Sequence, residues 1–483
     1  MSKSTKTKDT MYYVHCAIGV LLMFCFRFLP APEPITGLGM QTLGVFIGLI
    51  YMWSFVDTLW PSILGLVALA LTDYGTIYSV CMNSFGNSTA VMLFLFLGIV
   101  VVIEQSGLAT WLANKFLGIK AFNGKPWLFT LCLLMFLSTL ASFCNMFLII
   151  FTFWAVFYKI CDKTGFQKGE TYVSMMLIGI LVFAALGGIM VPFNGMAIIA
   201  NSAYIQMGRE GFVYAKYIPH VAAMLYSSIV VYVAMMRFVF RADVSKLKNF
   251  DTSTLAEETQ PLNKRQKVLA VCIVVTVAFL LMPGMISSNT AFGAILNKLA
   301  APGILMAGFA GLCFLKIDGE PMLDWNKASG HMNWNLFFII ATAMAVSGSI
   351  TAEGTGVQAF LLQIFQPLTS SLSPVMFIAV LAVIAVFLTN IFNNIVICMI
   401  MLSILSAYAT AFPVNEPVAL TILTFCACLG YMLPSSSVSG ATLHGNDWLT
   451  AKEIYKYIFP TLAAITVVIT VIGVGLGFIL YPM

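Results

Sequence analysis

Charged side chains are what this chain has least of. Asp, Glu, Lys and Arg together make up 9% of its 483 residues, while 60% are hydrophobic. A soluble fold of this length needs far more charge to cover its surface, so a water-soluble globular protein is excluded. Signatures of catalysis and nucleotide binding are missing as well. There is no HExxH pair, no GxSxG elbow and no GxxxxGK(S/T) loop, and an enzyme is not expected. Eleven cysteines occur, but none forms a CxxC pair, and Cys426 and Cys428 stand too close together for zinc ligation. Most, such as Cys16, Cys25, Cys132, Cys272 and Cys398, sit inside apolar runs and read as small buried hydrophobes. No resident cofactor is expected.

What the chain does have is a succession of apolar runs near the roughly 20 residues that cross a bilayer. Eleven are expected to be transmembrane helices, over 11–29, 39–53, 58–71, 88–103, 172–191, 218–237, 268–282, 302–315, 334–350, 418–433 and 458–480. The first, preceded by Lys3, Lys6 and Lys8, imitates a signal peptide. No small-residue cleavage site follows it, so it is expected to remain as a helix. Two further stretches, 127–158 and 374–408, are too long for one span and carry polar residues at their centres. Each is expected to fold as a re-entrant hairpin. The fold class is therefore all-α membrane protein, with about 11 transmembrane helices plus two re-entrant hairpins.

Charge placement tests this topology. With the N-terminus cytoplasmic and both hairpins re-entrant, 20 of the 24 Lys and Arg residues fall on the cytoplasmic side. Only Arg27, Arg209, Lys216 and Lys298 fall outside. The positive-inside rule predicts such a skew, and a full crossing at either hairpin would invert everything after it. The net charge of +5 then reflects topology and not a nucleic-acid partner. A multi-pass protein of the cell membrane is expected, with the lipid bilayer as its main partner. Residues 241–267 form the sizeable polar segment and read as a cytoplasmic linker between near-equal halves.

The halves resemble each other. Glu104-Gln-Ser-Gly107-Leu matches Glu353-Gly-Thr-Gly356-Val at an offset of 249 residues, and the same offset carries the polar break at Asn145 onto Asn394. Trp60-Pro61 pairs with Ala301-Pro302 at a shorter offset. By the charge map, Pro61 begins an outward-going span and Pro302 an inward-going one. Two inverted repeats are expected, the architecture of many secondary transporters.

The chemistry is expected at the breaks. The first hairpin breaks across Ser142-Phe-Cys144-Asn145-Met146 and the second across Thr389-Asn390-Ile-Phe-Asn393-Asn394-Ile395. Non-helical backbone at membrane depth persists only where it is buried in protein or lines a wet cavity. A tip that ends one helix and starts another offers N–H groups to an anion and carbonyls to a cation. Two more breaks follow, Gly187-Gly188-Ile-Met-Val-Pro192-Phe-Asn194-Gly195 in the fifth span and Leu433-Pro434-Ser435-Ser436-Ser437 in the tenth. Interrupted helices in matching places of both halves point to a midplane site. Two facing tips would hold an anion and a cation with no buried Lys or Arg.

This pattern resembles the divalent anion–sodium symporter (DASS) family of dicarboxylate, citrate and sulfate carriers, over nearly the whole chain. The resemblance is strongest at Phe387-Leu-Thr389 followed by Asn394, in Met432-Leu-Pro434 running to Gly445-Asn-Asp-Trp-Leu449, and in Leu97-Gly98 to Glu104-Gln-Ser-Gly107-Leu. It implies an elevator-type secondary transporter of a small anion, assembled as a homodimer and coupled to sodium. It further implies scaffold helices in 1–104 and 268–351. Mobile transport units would occupy 105–240 and 352–483, each a hairpin with two helices. Substrate would be met by Cys144, Asn145, Met146, Pro192, Asn194, Asn393, Asn394, Ile395 and Ser437. Sodium would be held by oxygens near Ser142, Asn145, Gly188, Thr389, Asn394 and Ser436, suitably hard ligands for such a cation.

The chain departs from that family where substrate is read. Each family tip carries Ser-Asn-Thr, whereas here the tips are Cys144-Asn145-Met146 and Asn393-Asn394-Ile395. Two hydroxyls are replaced by apolar bulk, so an anion smaller or more apolar than succinate or citrate is expected. Alternatives are a sodium-independent anion exchanger, an ion channel, or a cation/proton antiporter. The antiporter needs a titratable acid at its midplane, and neither tip sequence contains one. Glu104, Glu353, His444 and Asp447 are the remaining proton-carrying candidates, but they lie near helix ends and read as solvated.

Overall fold

The computed structural model describes residues 2–248, 261–282, 286, 290–350, 352, 354–360, 363, 372–434 and 436–482. Glu353, Ser435 and the central part of the 241–267 linker lie outside the described residues. The described residues are mostly helical, and among them lies one two-stranded ribbon, Lys316–Ile317 against Glu320–Pro321. In the N-terminal half, α1 is Ser2–Cys25, α2 Gly37–Phe55, α3 Leu59–Ala70, α4 Ile77–Ser84, α5 Ser88–Gln105 and α6 Leu108–Leu117. They are followed by α7 Pro126–Ala141, α8 Met146–Thr164, α9 Thr171–Gly187, α10 Gly195–Gln206 and α11 Tyr214–Ala234. The C-terminal half has α12 Lys264–Leu281, α13 Ala291–Phe314, α14 Trp325–Ser329, α15 Trp334–Ile350 and α16 Pro374–Thr389. Then come α17 Asn394–Ala411, α18 Glu416–Ala427, α19 Val438–His444 and α20 Ala451–Leu480.

Local chemistry accounts for many of the helix starts. Thr36, Thr290, Ser373 and Asn415 cap α2, α13, α16 and α18 through their side-chain oxygens. Reciprocal capping boxes, Asn263 with Gln266 and Thr450 with Glu453, begin α12 and α20. Proline stands in the first turn of α7, α16 and α18, where no N–H is needed.

The expected spans meet two kinds of helix. Among the described residues five helices are long and apolar enough to cross a bilayer alone, and a sixth span forms if α5 and α6, bent by 54°, count as one. Seven further apolar helices among the described residues are shorter, α7, α9, α16 and α18 being four of them. The 12 residues of α18 reach only about 18 Å, well short of the roughly 30 Å hydrocarbon thickness. The fifth and tenth expected spans are therefore not single rods. Each is a pair of helices, α9 with α10 and α18 with α19, joined by a non-helical segment that contains turns.

Packing follows two groups. In one, α2 packs on α1 and α3, while α15 lies against α2, α3, α4 and α5, and α13 against α5 and α12. In the other, α9 is flanked by α7, α8, α11, α19 and α20, and α18 by α16, α17 and α20. The groups meet where α10 lies along α15. All of α9 is buried except Thr171 and Ala185, as expected for a helix that is apolar all round. Small residues let α20 approach closely. A Cβ on Gly473 would lie 2.7 Å from Met224 Sδ, and one on Gly477 2.7 Å from Val418 Cγ1. His220, which the sequence places near a span end, is fully buried in α11 and bonded through Nε2 to the Gly473 carbonyl at 2.7 Å.

Candidate functional site

The first hairpin, α7 and α8, is tied to the break between α9 and α10. At the end of α7 the buried Ser142 hydroxyl donates to the Gly187 carbonyl at 2.9 Å. The Ser142 carbonyl in turn accepts from Asn194 Nδ2 at 3.1 Å. Gly187 is required there, because a Cβ would sit 2.0 Å from the Ser138 carbonyl oxygen. Gly188 and Pro192 are buried in the same turn, and Gly195 takes a left-handed φ of +51° beside Gly188. Cys144 is buried, Met146 half-buried and Asn145 exposed. Asn145 caps α8, its Oδ1 accepting from Phe147 N at 2.9 Å.

The second hairpin, α16 and α17, meets the break between α18 and α19 in the same manner. The buried Thr389 hydroxyl lies 2.7 Å from the Ala427 carbonyl oxygen and 2.8 Å from Asn394 Oδ1. Asn390 Oδ1 accepts from Tyr431 N at 3.0 Å and from Met432 N at 2.9 Å. Gly430 is required as Gly187 is, since a Cβ would come within 2.2 Å of Asn394 Oδ1. Ser437 caps α19 and donates to the Gly430 carbonyl at 2.6 Å. Ser436 is buried and donates to the Leu433 carbonyl at 2.6 Å. Asn393, Asn394 and Ile395 are half-buried.

Each expected tip is thus joined to the expected broken helix of its own half. Among the described residues no hydrogen bond links one tip to the other. The halves interlock through neighbouring helices instead, with α10 packed on α17 and α19 on α9. The register also differs from the sequence match. The counterpart of Asn145 as helix cap is Asn393, not Asn394, and the two share nearly the same backbone, φ −62°, ψ 125° and φ −60°, ψ 137°. A cap is defined by the last extended residue before the first turn, which a fixed sequence offset does not see. The glycines of the paired Glu-x-x-Gly motifs do coincide in conformation, Gly107 at φ +70° and Gly356 at φ +71°.

The arrangement separates two kinds of polar group. Ser142, Thr389 and Ser436 are buried and spend their protons on backbone carbonyls, which leaves oxygen lone pairs as ligands for a hard cation. Asn145 and Asn393 spend Oδ1 on their own helices, which leaves carboxamide N–H donors beside two helix N-termini, a setting suited to a carboxylate. Met146 is the first residue of α8 and Ile395 the second of α17, and they bring apolar surface to each tip. Among the described residues no group of three His, Cys, Asp or Glu side chains gathers at one point.

Sequence reasoning missed two participants. Asn390, read only as part of the break, holds the α18–α19 turn against the second tip. Glu104, read as a solvated helix end, is half-buried and accepts from the Asn145 backbone N–H at 3.1 Å. The first tip therefore does have a carboxyl group against it, supplied by α5. The repeated Glu-x-x-Gly motif was the signal that could have found it. His444 is bonded through Nε2 to the Met432 carbonyl at 2.9 Å, and Asp447 is exposed.

The family model described as "CitMHS: Citrate transporter" matches residues 46–430, which takes in both hairpins and the broken helix α9–α10. No curated protein sequence matches the chain.

Proposed function

Because the chain belongs to this citrate transporter family, we propose that it is a secondary transporter that moves citrate or a related carboxylate across the cell membrane. The observation carrying this reading is the pair of tips. Each presents an Asn carboxamide N–H at a helix N-terminus, and each is pinned by a buried hydroxyl to a broken helix. Anion recognition by N–H groups needs no buried Arg or Lys, and no basic residue stands at either tip. Substrate would meet Asn145, Asn194, Asn393, Asn394 and Ser437, with Cys144, Met146, Pro192 and Ile395 as apolar walls.

The finer reading keeps the resemblance to divalent anion–sodium symporters. It assigns sodium to the oxygens around Ser142, Gly188, Thr389 and Ser436. It assigns an elevator motion of α7–α11 and α16–α20 against a dimeric scaffold. Grouping of the helices into two packed sets supports that motion. Family membership and the apolar residues Met146 and Ile395 pull the substrate in opposite directions, one toward citrate and the other toward a smaller anion.

Glu104 favours a second coupling mode. A carboxyl against the substrate tip would repel a carboxylate unless protonated, so proton entry there would couple proton and anion. Uptake of labelled citrate, succinate and acetate into proteoliposomes, driven separately by a sodium or a proton gradient, tests all of this. Citrate uptake that follows sodium and persists in Glu104→Gln supports sodium symport. Uptake that follows the proton gradient and loses it in Glu104→Gln supports the Glu104 route. Uptake independent of both gradients but driven by internal anion supports exchange. Transport of acetate without citrate would overturn the citrate assignment.

A further inference from the structure

A cavity of about 730 Å³ lies well away from both tips, where the start of α7 meets the chain leaving α11. Its polar lining is strongly one-signed. Lys125, Arg237, Arg241 and Lys248 border it, against a single carboxylate, Asp243. Asp243 is already engaged by its own loop, accepting from Ser245 N at 2.9 Å and from the Ser245 hydroxyl at 3.1 Å. Those bonds hold its carboxyl below the usual range, so it stays ionised without joining the cations in a short ion pair. The adjacent Lys246 turns elsewhere, to Glu170 at 2.7 Å. Among the described residues none of the four bordering cations forms an ion pair.

The backbone is shaped to gather these charges. After α11 the helix widens to a π turn over Met235–Val239, and Ala242 N then donates to the Met236 carbonyl at 2.9 Å. Arg241 is held at φ +48°, a conformation that non-glycine residues rarely adopt. The Arg237 guanidinium lies over the Trp127 ring, 5.9 Å from its centroid, and 5.1 Å from that of Phe238. Such stacking orders the group while leaving its N–H donors available.

The position of the cavity names its occupant. It sits at the end of the apolar run Tyr214–Val239, one of the helices long enough to cross a bilayer. That end falls on the side that the lysine and arginine distribution assigns to the cytoplasm. Leu128, which lines the cavity, is 39% exposed, and Phe238 and Val239, which follow Arg237 in the chain, are 67% and 65% exposed. A soluble phosphate would use the cations and leave this apolar border in water. A phospholipid uses both, with its phosphate among the cations and its chains along the border.

We propose that this cavity is a binding site for a phospholipid with an anionic headgroup in the cytoplasmic leaflet. The lipid would bridge the first turn of α7 to the exit of α11 and so brace the base of the first hairpin. The inference is independent of what the tips transport.

The test uses the full chain, delipidated in neutral detergent and free of citrate. Phosphatidylglycerol, phosphatidylcholine, glycerol phosphate and inorganic phosphate are added separately. Native mass spectrometry reads retained adducts, and thermal unfolding reads stabilisation. The expected result is a retained phosphatidylglycerol adduct with a raised Tm and no comparable effect from the other three. In Arg241→Gln/Lys248→Gln the affinity should fall about tenfold or more. The charge-keeping Arg241→Lys should retain binding, as should Lys115→Gln, which removes a charge outside the cavity. A shift from phosphatidylcholine equal to that from phosphatidylglycerol would overturn the proposal. So would reproduction of the shift by phosphate or glycerol phosphate, or unchanged binding in a folded double variant.

Discussion

At the scale of single residues, the tips depend on hydroxyls and on missing side chains. Thr389→Val keeps the shape but strands the Ala427 carbonyl and Asn394 Oδ1 in a buried setting. It should cost about 1–3 kcal/mol, read as a lower Tm of the purified protein, whereas Thr389→Ser should cost much less. Ser142→Ala should act likewise through the Gly187 carbonyl. Gly187→Ala and Gly430→Ala should be more damaging than either, because the added Cβ meets the Ser138 carbonyl oxygen at 2.0 Å or the Thr389 carbonyl oxygen at 2.6 Å. Backbone cannot swing aside as a side chain can, so the hairpin must separate from its broken helix. Folded yield of these variants is the measurement, and near-normal yield of Gly187→Ala would show that α7 and α9 are not locked as described.

At the scale of helices, the caps at the tips serve both the fold and the site. Asn393→Ala removes the acceptor for Ile395 N and should destabilise by about 1 kcal/mol, the usual loss at an N-cap. Asn393→Asp retains the cap and adds a negative charge, which is favourable at a helix N-terminus. Its Tm should therefore stay near that of the unaltered protein while uptake of an anionic substrate falls at least tenfold by repulsion. Equal loss of stability and uptake in both variants would mean that Asn393 only builds the helix. Asn145→Asp is the less clean comparison, since Glu104 already stands against that residue.

At the scale of the whole molecule, polar ties between distant segments hold the two halves together. Ser174 of α9 donates to Glu453 of α20 at 2.7 Å, and Glu453 also accepts from Thr450 in the capping box. Tyr204 donates to Glu416 at 2.6 Å, while Arg209 reaches both Glu416 and the Ser406 carbonyl. Glu453→Ala should lower Tm more than Ser174→Ala, because it removes the Glu453 half of the capping box together with the inter-half bond. Equal effects would place all the energy in the contact between α9 and α20.

Much of this was legible in residue order. Apolarity, scarcity of charge and the distribution of lysine and arginine identify a membrane-embedded helical chain, because each reports solvent environment residue by residue. The helix breaks at Ser142–Asn145, Gly188–Asn194 and Asn390–Asn393 were legible for the same local reason, as was the one before Ser437, although its helix ends at Ala427, earlier than the expected Leu433. Glycine, proline and short polar side chains end helices wherever they cluster. Pairing was not legible. That Ser142 meets Gly187, that Thr389 meets Ala427, and that α5 brings Glu104 to Asn145 depends on segments 38 to 45 residues apart packing side by side. The one-residue shift from Asn394 to Asn393 as the matching cap was decided there too. Only tertiary packing selects which buried carbonyl each hydroxyl must satisfy, because inside a membrane no water is present to satisfy it instead.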